Sequence, residues 1–188
     1  MQDCRSLVGM LAVGLLALAP VYAQSSQPNA EKKSGAGENS ANRMAMADHT
    51  FVTKAAHGGL AEVKLGTLAT QKADHADVKA FGQQMVDDHS KANDELKQLA
   101  SSKGITLPTD LDAKDQATYD RLSKLSGAEF DRAYMRDMVA DHRTDVNEFR
   151  HESQHGADPD VKAWAAKTLP TLEHHLQMAE STDAKVKK

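Results

Sequence analysis

The chain of 188 residues holds a single cysteine, so an internal disulfide framework is excluded. Aromatic residues are sparse (three Tyr, four Phe, one Trp), and the eleven glycines are scattered. Both features argue against a β-sandwich or barrel, whose strands lean on aromatic and β-branched side chains. There is no basic excess: 23 Lys and Arg stand against 27 Asp and Glu, for a net charge of −4 with no basic stripe. That excludes nucleic acid as the main partner. No nucleophile–base–orienter set and no phosphate-cradling loop is recognisable, so a hydrolase or nucleotide enzyme has no footing. What is present is 40% hydrophobic residues, enough for one core in a chain of one-domain length.

The first residues read as an export signal. Leu7–Ala19 is uncharged and apolar, with Arg5 before it and Pro20-Val21-Tyr22-Ala23 after it. Val21 and Ala23 suit a signal-peptidase cleavage after Ala23. The run is short for a membrane span, which needs about 20 apolar residues. The alternative is an uncleaved N-terminal anchor. Cleavage would remove Cys4 and leave a cysteine-free chain without a transmembrane span, suited to an oxidising compartment. Residues 24–46 carry no apolar periodicity and read as a flexible linker. Residues 183–188 read as a disordered tail.

Between them, residues 47–182 show apolar positions spaced by threes and fours, the mark of amphipathic helices. A first helix is expected over His49–Gln71, with Asp48 as its N-cap and an inner stripe of Phe51, Ala55, Gly59, Glu62, Gly66 and Ala69. Its glycines would be tolerated where another helix approaches closely. The second is expected over His75–Lys103, stopped by Gly104. A long connector follows, with a short helix carrying Tyr119, Leu122 and Leu125. Ser126 to Glu129 has capping-box spacing for the third helix. Asp158-Pro159 opens the fourth, in which Pro170 should introduce a kink. Two short-loop hairpins joined by one long crossover make an all-α, ferritin-like four-helix bundle.

The chain echoes itself twice. Phe81-x3-Met85-Val86-x-Asp88-His89 matches Tyr134-x3-Met138-Val139-x-Asp141-His142. Asp77-Val78-Lys79-Ala80-Phe81 matches Asp160-Val161-Lys162-Ala163-Trp164. The first reads as a shared packing or site solution, the second as a trace of duplicated hairpins. Glu62, His89 and His142 lie near the middles of their helices, and mid-helix residues meet at one level of a bundle. His175 joins them if the helices are offset, and of the adjacent pair His174–His175 only one can face inward. Imidazoles and a carboxylate in a core are ligands for Zn, Fe, Mn or Cu. Asp88 and Asp141 are placed to support them from behind. The alternative is a set of hydrogen-bonded core histidines that bind nothing. His49, His57, His75, His151 and His155 read as surface or loop residues.

Four stretches together resemble a known family: GGLAEVKLGTLA at 58–69, VKAFGQQMVDDH at 78–89, EFDRAYMRDMVADH at 129–142 and TLPTLEHHL at 168–176. The family is an exported bacterial domain of unknown function, numbered four-one-four-two and placed with ferritin-like proteins. The resemblance implies a ferritin-like bundle in the cell envelope, periplasmic or outer-membrane-associated, without a settled activity. Di-iron ferritin-like sites use Glu-x-x-His on two helices. Here Val86, Val139 and Leu172 stand where those glutamates would be, so a single His-rich site is expected instead. Two functions follow. One is a non-catalytic binding, scaffolding or stress-associated module, partnered by an envelope protein or a second copy of the chain. The other is a metal-binding or metal-dependent redox protein.

Overall fold

The computed structural model describes residues 35–187, with side chains from residue 45 onward. The expected export signal and the first part of the expected linker lie outside the described residues. Five helices make up the described chain: α1 (Gly35–Lys72), α2 (Ala76–Ser102), α3 (Ala113–Ser123), α4 (Gly127–His155) and α5 (Pro159–Val186). The principal packing pairs are α1 with α2 and α4 with α5, and the two hairpins close on each other through α2–α5 and α1–α4. The crossover carrying α3 returns the chain along the bundle, so that α4 starts beside the α1–α2 loop. Helix α3 lies mainly on α1. None of the described helices is long and apolar enough to cross a membrane.

The hairpins grip each other reciprocally. Asp48 of α1 accepts the backbone N–H groups of Ala157 (3.1 Å) and Asp158 (2.6 Å) in the α4–α5 loop. Asp131 of α4 accepts those of Asp74 (3.2 Å) and His75 (2.9 Å) in the α1–α2 loop. His75 and Asp158 are themselves the N-caps of α2 and α5. One aromatic pair also repeats: Phe81–Tyr134 with centroids 6.1 Å apart at 68°, and Trp164–Phe51 at 6.1 Å and 63°. All of these pairs share the residue offset that aligns Asp77–Phe81 with Asp160–Trp164. The hairpin echo is therefore a structural pseudo-symmetry.

Two apolar clusters fill the bundle. One, near the α1–α2 loop, includes Phe81, Phe130, Tyr134, Met135 and Met138. The other, near the α4–α5 loop, includes Phe51, Leu96, Phe149, Trp164 and Leu172. Along each of the four long helices, a polar residue separates the two: Glu62, His89, His142 and His175. Close approach of α1 to α2 explains two of the glycines. A Cβ at Gly66 would fall 2.6 Å from the carbonyl oxygen of Gly82.

Several expectations are corrected. Helix α1 begins at Gly35, so residues 35–46 of the expected linker are helical. Asp48 lies inside that helix rather than capping it, because both its oxygens are taken by the opposite loop. Helix α5 continues to Val186 and buries Thr182 and Asp183, so the expected disordered tail is largely helical. Ser126 makes no side-chain cap hydrogen bond; Gly127 takes φ +60° and turns the chain away from capping-box geometry. Pro170 lies inside α5, as expected, and the helix continues beyond it to Val186.

Candidate metal centre

His89 from α2, His142 from α4 and His175 from α5 converge at the level between the two apolar clusters. Their ring centroids are 5.4–5.9 Å apart. One ring nitrogen from each lies within 4.8 Å of the others. All three residues are buried, His142 and His175 completely.

Two of the tautomers follow from hydrogen bonding. His142 Nδ1 is 3.0 Å from the carbonyl oxygen of Met138, which can only accept. Nδ1 therefore carries the proton, and the lone pair sits on Nε2. His175 Nε2 is 2.8 Å from Asp88 Oδ2. That nitrogen donates to the carboxylate, and the lone pair sits on Nδ1. These two freed nitrogens, His142 Nε2 and His175 Nδ1, are buried without a hydrogen-bond partner, as is His89 Nε2. A buried polar atom left unpaired costs about 1–3 kcal/mol. One such atom on each of three converging rings is a donor set that could hold a metal ion.

Electrostatics keep the set neutral. Burial holds His89 well below the ordinary imidazole value, and the neighbouring rings of His142 and His175 push it further down. Burial, then His175, lowers His142 to about 4. Burial also lowers His175, against the pull of Asp88. Burial draws the Asp88 carboxyl upward, but hydrogen bonds from Gln84 and His175 outweigh it and hold it below the usual carboxylate range. Asp88 is thus an anion behind a neutral imidazole, the arrangement that orients metal-binding histidines and raises their basicity.

Glu62 stands outside the histidine trio. Its Oε1 is 3.8 Å from His142 Nδ1, the nitrogen already committed to Met138, and so it lies on the far side of that ring. Both its oxygens are buried without partners. Burial raises its pKa well above the usual range, and Asp141 and Asp145 raise it further. Asp141, expected to support a ring, instead neighbours Glu62, Lys114 and Asp137. Among the described residues Asp88 is the carboxylate bonded to the trio, and it serves His175 rather than its own neighbour His89. His174 is exposed while His175 faces inward. Sequence reasoning missed the N-cap role of His75 and the clasps of Asp48 and Asp131. Extending the hairpin echo outward from Asp77 and Asp160 would have paired all of them.

Solved structures share the fold. A DUF305 fragment from Deinococcus radiodurans matches with a TM-score of 0.65 at 13% identity, covering 74% of this chain and 96% of that one. A DUF305 protein from Streptomyces coelicolor, predicted to be secreted, matches with a TM-score of 0.63 at 13% identity, covering 74% and 93%. No curated protein matches the chain. The family model for the domain of unknown function DUF4142 matches residues 33–182, and the chain belongs to that family.

Proposed function

We propose that this protein is an exported helical bundle that holds one first-row transition-metal ion between His89, His142 and His175. The observation that carries this reading is the convergence of three buried rings whose inward nitrogens have no protein partner. Imidazole suits Zn, Cu and Fe, whereas Mn prefers carboxylates and water. With Glu62 outside the trio, the donor set favours the first three ions. Two of the three rings are held from behind, by the Met138 carbonyl and by Asp88. The Asp88 charge offsets part of that of the ion. Export rests on the apolar leader ending at Ala23, and the predicted secretion of the Streptomyces coelicolor neighbour accords with it. A scaffolding role would rest on a broad exposed apolar patch. Among the described residues, the large hydrophobic side chain that stands exposed is Met46, so the metal reading is the one with an observation behind it.

The test is metal content of the protein purified without chelator or affinity tag, beside His89→Ala/His142→Ala. One ion per chain, absent from a double mutant that keeps its helical circular dichroism, is the expected result. No retained metal in the wild type, even after dialysis against Zn, Cu and Fe salts, would overturn the reading.

A further inference from the structure

The hairpin pseudo-symmetry gives the histidine layer an image, and the image is a hole. At the offset set by the clasps and the aromatic pairs, His142 corresponds to Gly59, His175 to Ala92 and His89 to Leu172. Gly59, Ala92 and Leu172 all line one small cavity of about 40 Å³. The aromatic neighbours make the same point. Phe81 stands 6.2 Å from the His142 ring, while its counterpart Trp164 lines the cavity beside Gly59. Where one side of the bundle carries imidazoles, the other leaves space.

The cavity touches the histidine layer at His89, which is also one of its walls. Its lining is not inert. Trp164 is buried, and its indole N–H has no partner. Lys54 and Glu148, ion-paired at 3.0 Å and both partly exposed, stand at its outer end. Among the described residues the ligand group contains three side chains and no fourth. Zinc sites with three protein ligands keep their remaining position for water or substrate.

The geometry points to this cavity as the binding place of a small exogenous ligand at the open coordination position of the metal. This rests on the metal reading above. A site holding a single water needs about 10–15 Å³ by the same measure, so the hole suits a ligand of two or three heavy atoms. The free indole N–H selects one that accepts a hydrogen bond. Compact anions and small linear molecules meet both conditions, and bulky organic substrates do not.

Azide and Co²⁺ are suitable probes, since the visible bands of Co²⁺ report its coordination. The protein loaded with Co²⁺ should develop visible bands that shift saturably with azide. Gly58 offers a plug: it lines the cavity, and a Cβ there meets nothing within 4 Å. Gly58→Leu should keep the Co²⁺ bands and weaken azide binding at least tenfold. Trp164→Phe, which removes the N–H and keeps an aromatic ring, should weaken it severalfold. Co²⁺ bands that ignore azide would overturn the open position and leave the metal reading standing. An azide response unaltered by Gly58→Leu would overturn the cavity as its place. Failure to bind Co²⁺ at all would remove the metal reading and this inference with it.

Discussion

The α1–α2 and α4–α5 hairpins are joined by one device used twice, yet they carry different chemistry. Asp48 clasps one loop and Asp131 the other, each with both carboxylate oxygens. Each clasped loop supplies the N-cap of its second helix. At mid-bundle the equivalence ends, because α4–α5 carries His142 and His175 where α1–α2 carries the cavity-lining Gly59 and Ala92, and His89 of α2 answers to Leu172 of α5. The frame is thus set by backbone hydrogen bonds at the ends of the hairpins. The middle is free to vary, provided that what fills it is satisfied or small. The proposed metal function rests on the layer between the two apolar clusters.

The comparison is broken most directly at the clasps. Asp48→Ala and Asp131→Ala each remove two hydrogen bonds to a charged acceptor, worth about 1.5–3 kcal/mol apiece. Each variant should lose about 3 kcal/mol in urea unfolding, and the two losses should agree within about 1 kcal/mol. Strongly unequal losses would show that the pseudo-symmetry is geometric but not energetic.

A second prediction separates the imidazole layer from its image by pH. His142 titrates near 6.5 when unfolded and at about 4 when folded. The unfolded chain therefore binds more protons between those values, and stability falls as pH drops through that window. For His142 alone the loss is about 3 kcal/mol, measured on metal-free protein by denaturant melts at pH 7 and pH 4. His142→Gln should flatten this part of the profile. No image residue contributes in the same way, since Gly59, Ala92 and Leu172 do not titrate.

The clasps also differ subtly from each other. Glu152 lies beside Asp48, and its counterpart beside Asp131 is Ala69. Burial, then the Asp48 charge, raises Glu152 to about 7 from 4.5. A carboxyl with a raised folded pKa binds its proton more tightly in the native state, so stability is lost as pH rises from about 4.5 through 7. Allowing for solvent screening, Glu152→Gln should gain about 1–2 kcal/mol over wild type at pH 8 and little at pH 4.5. The measurement is the pH dependence of the difference in unfolding free energy. An equal gain at both pH values would mean that Glu152 acts by shape and not by charge.

Much of this was legible in the residues themselves. Three-and-four spacing located the four long helices, and the crossover helix showed in Tyr119, Leu122 and Leu125. Position along each helix placed Glu62, His89 and His142 at one level, with His175 joining them only if the helices were offset. Level alone does not fix which side of a ring a neighbour occupies. Glu62 therefore arrives at the correct height but on the Nδ1 side of His142, away from the unpaired Nε2 of that ring. Asp48 was misread for a related reason. An aspartate that caps its own helix and one that clasps a distant loop do the same thing, accepting backbone N–H groups, and only the three-dimensional path tells them apart. The cavity was illegible because a hole has no residue of its own. It shows only when the hairpin echo is followed to Gly59, Ala92 and Leu172.

Joint binding of one ion by the three buried rings would show in the coordination shell of that ion. X-ray absorption at the edge of the bound metal, on protein loaded with Zn or Cu, tests it most directly. Three imidazole nitrogens at about 2.0–2.1 Å are expected, with one further light scatterer at the open position. An ion surrounded by oxygen alone, or one whose spectrum is unchanged in His89→Ala/His142→Ala, would contradict it.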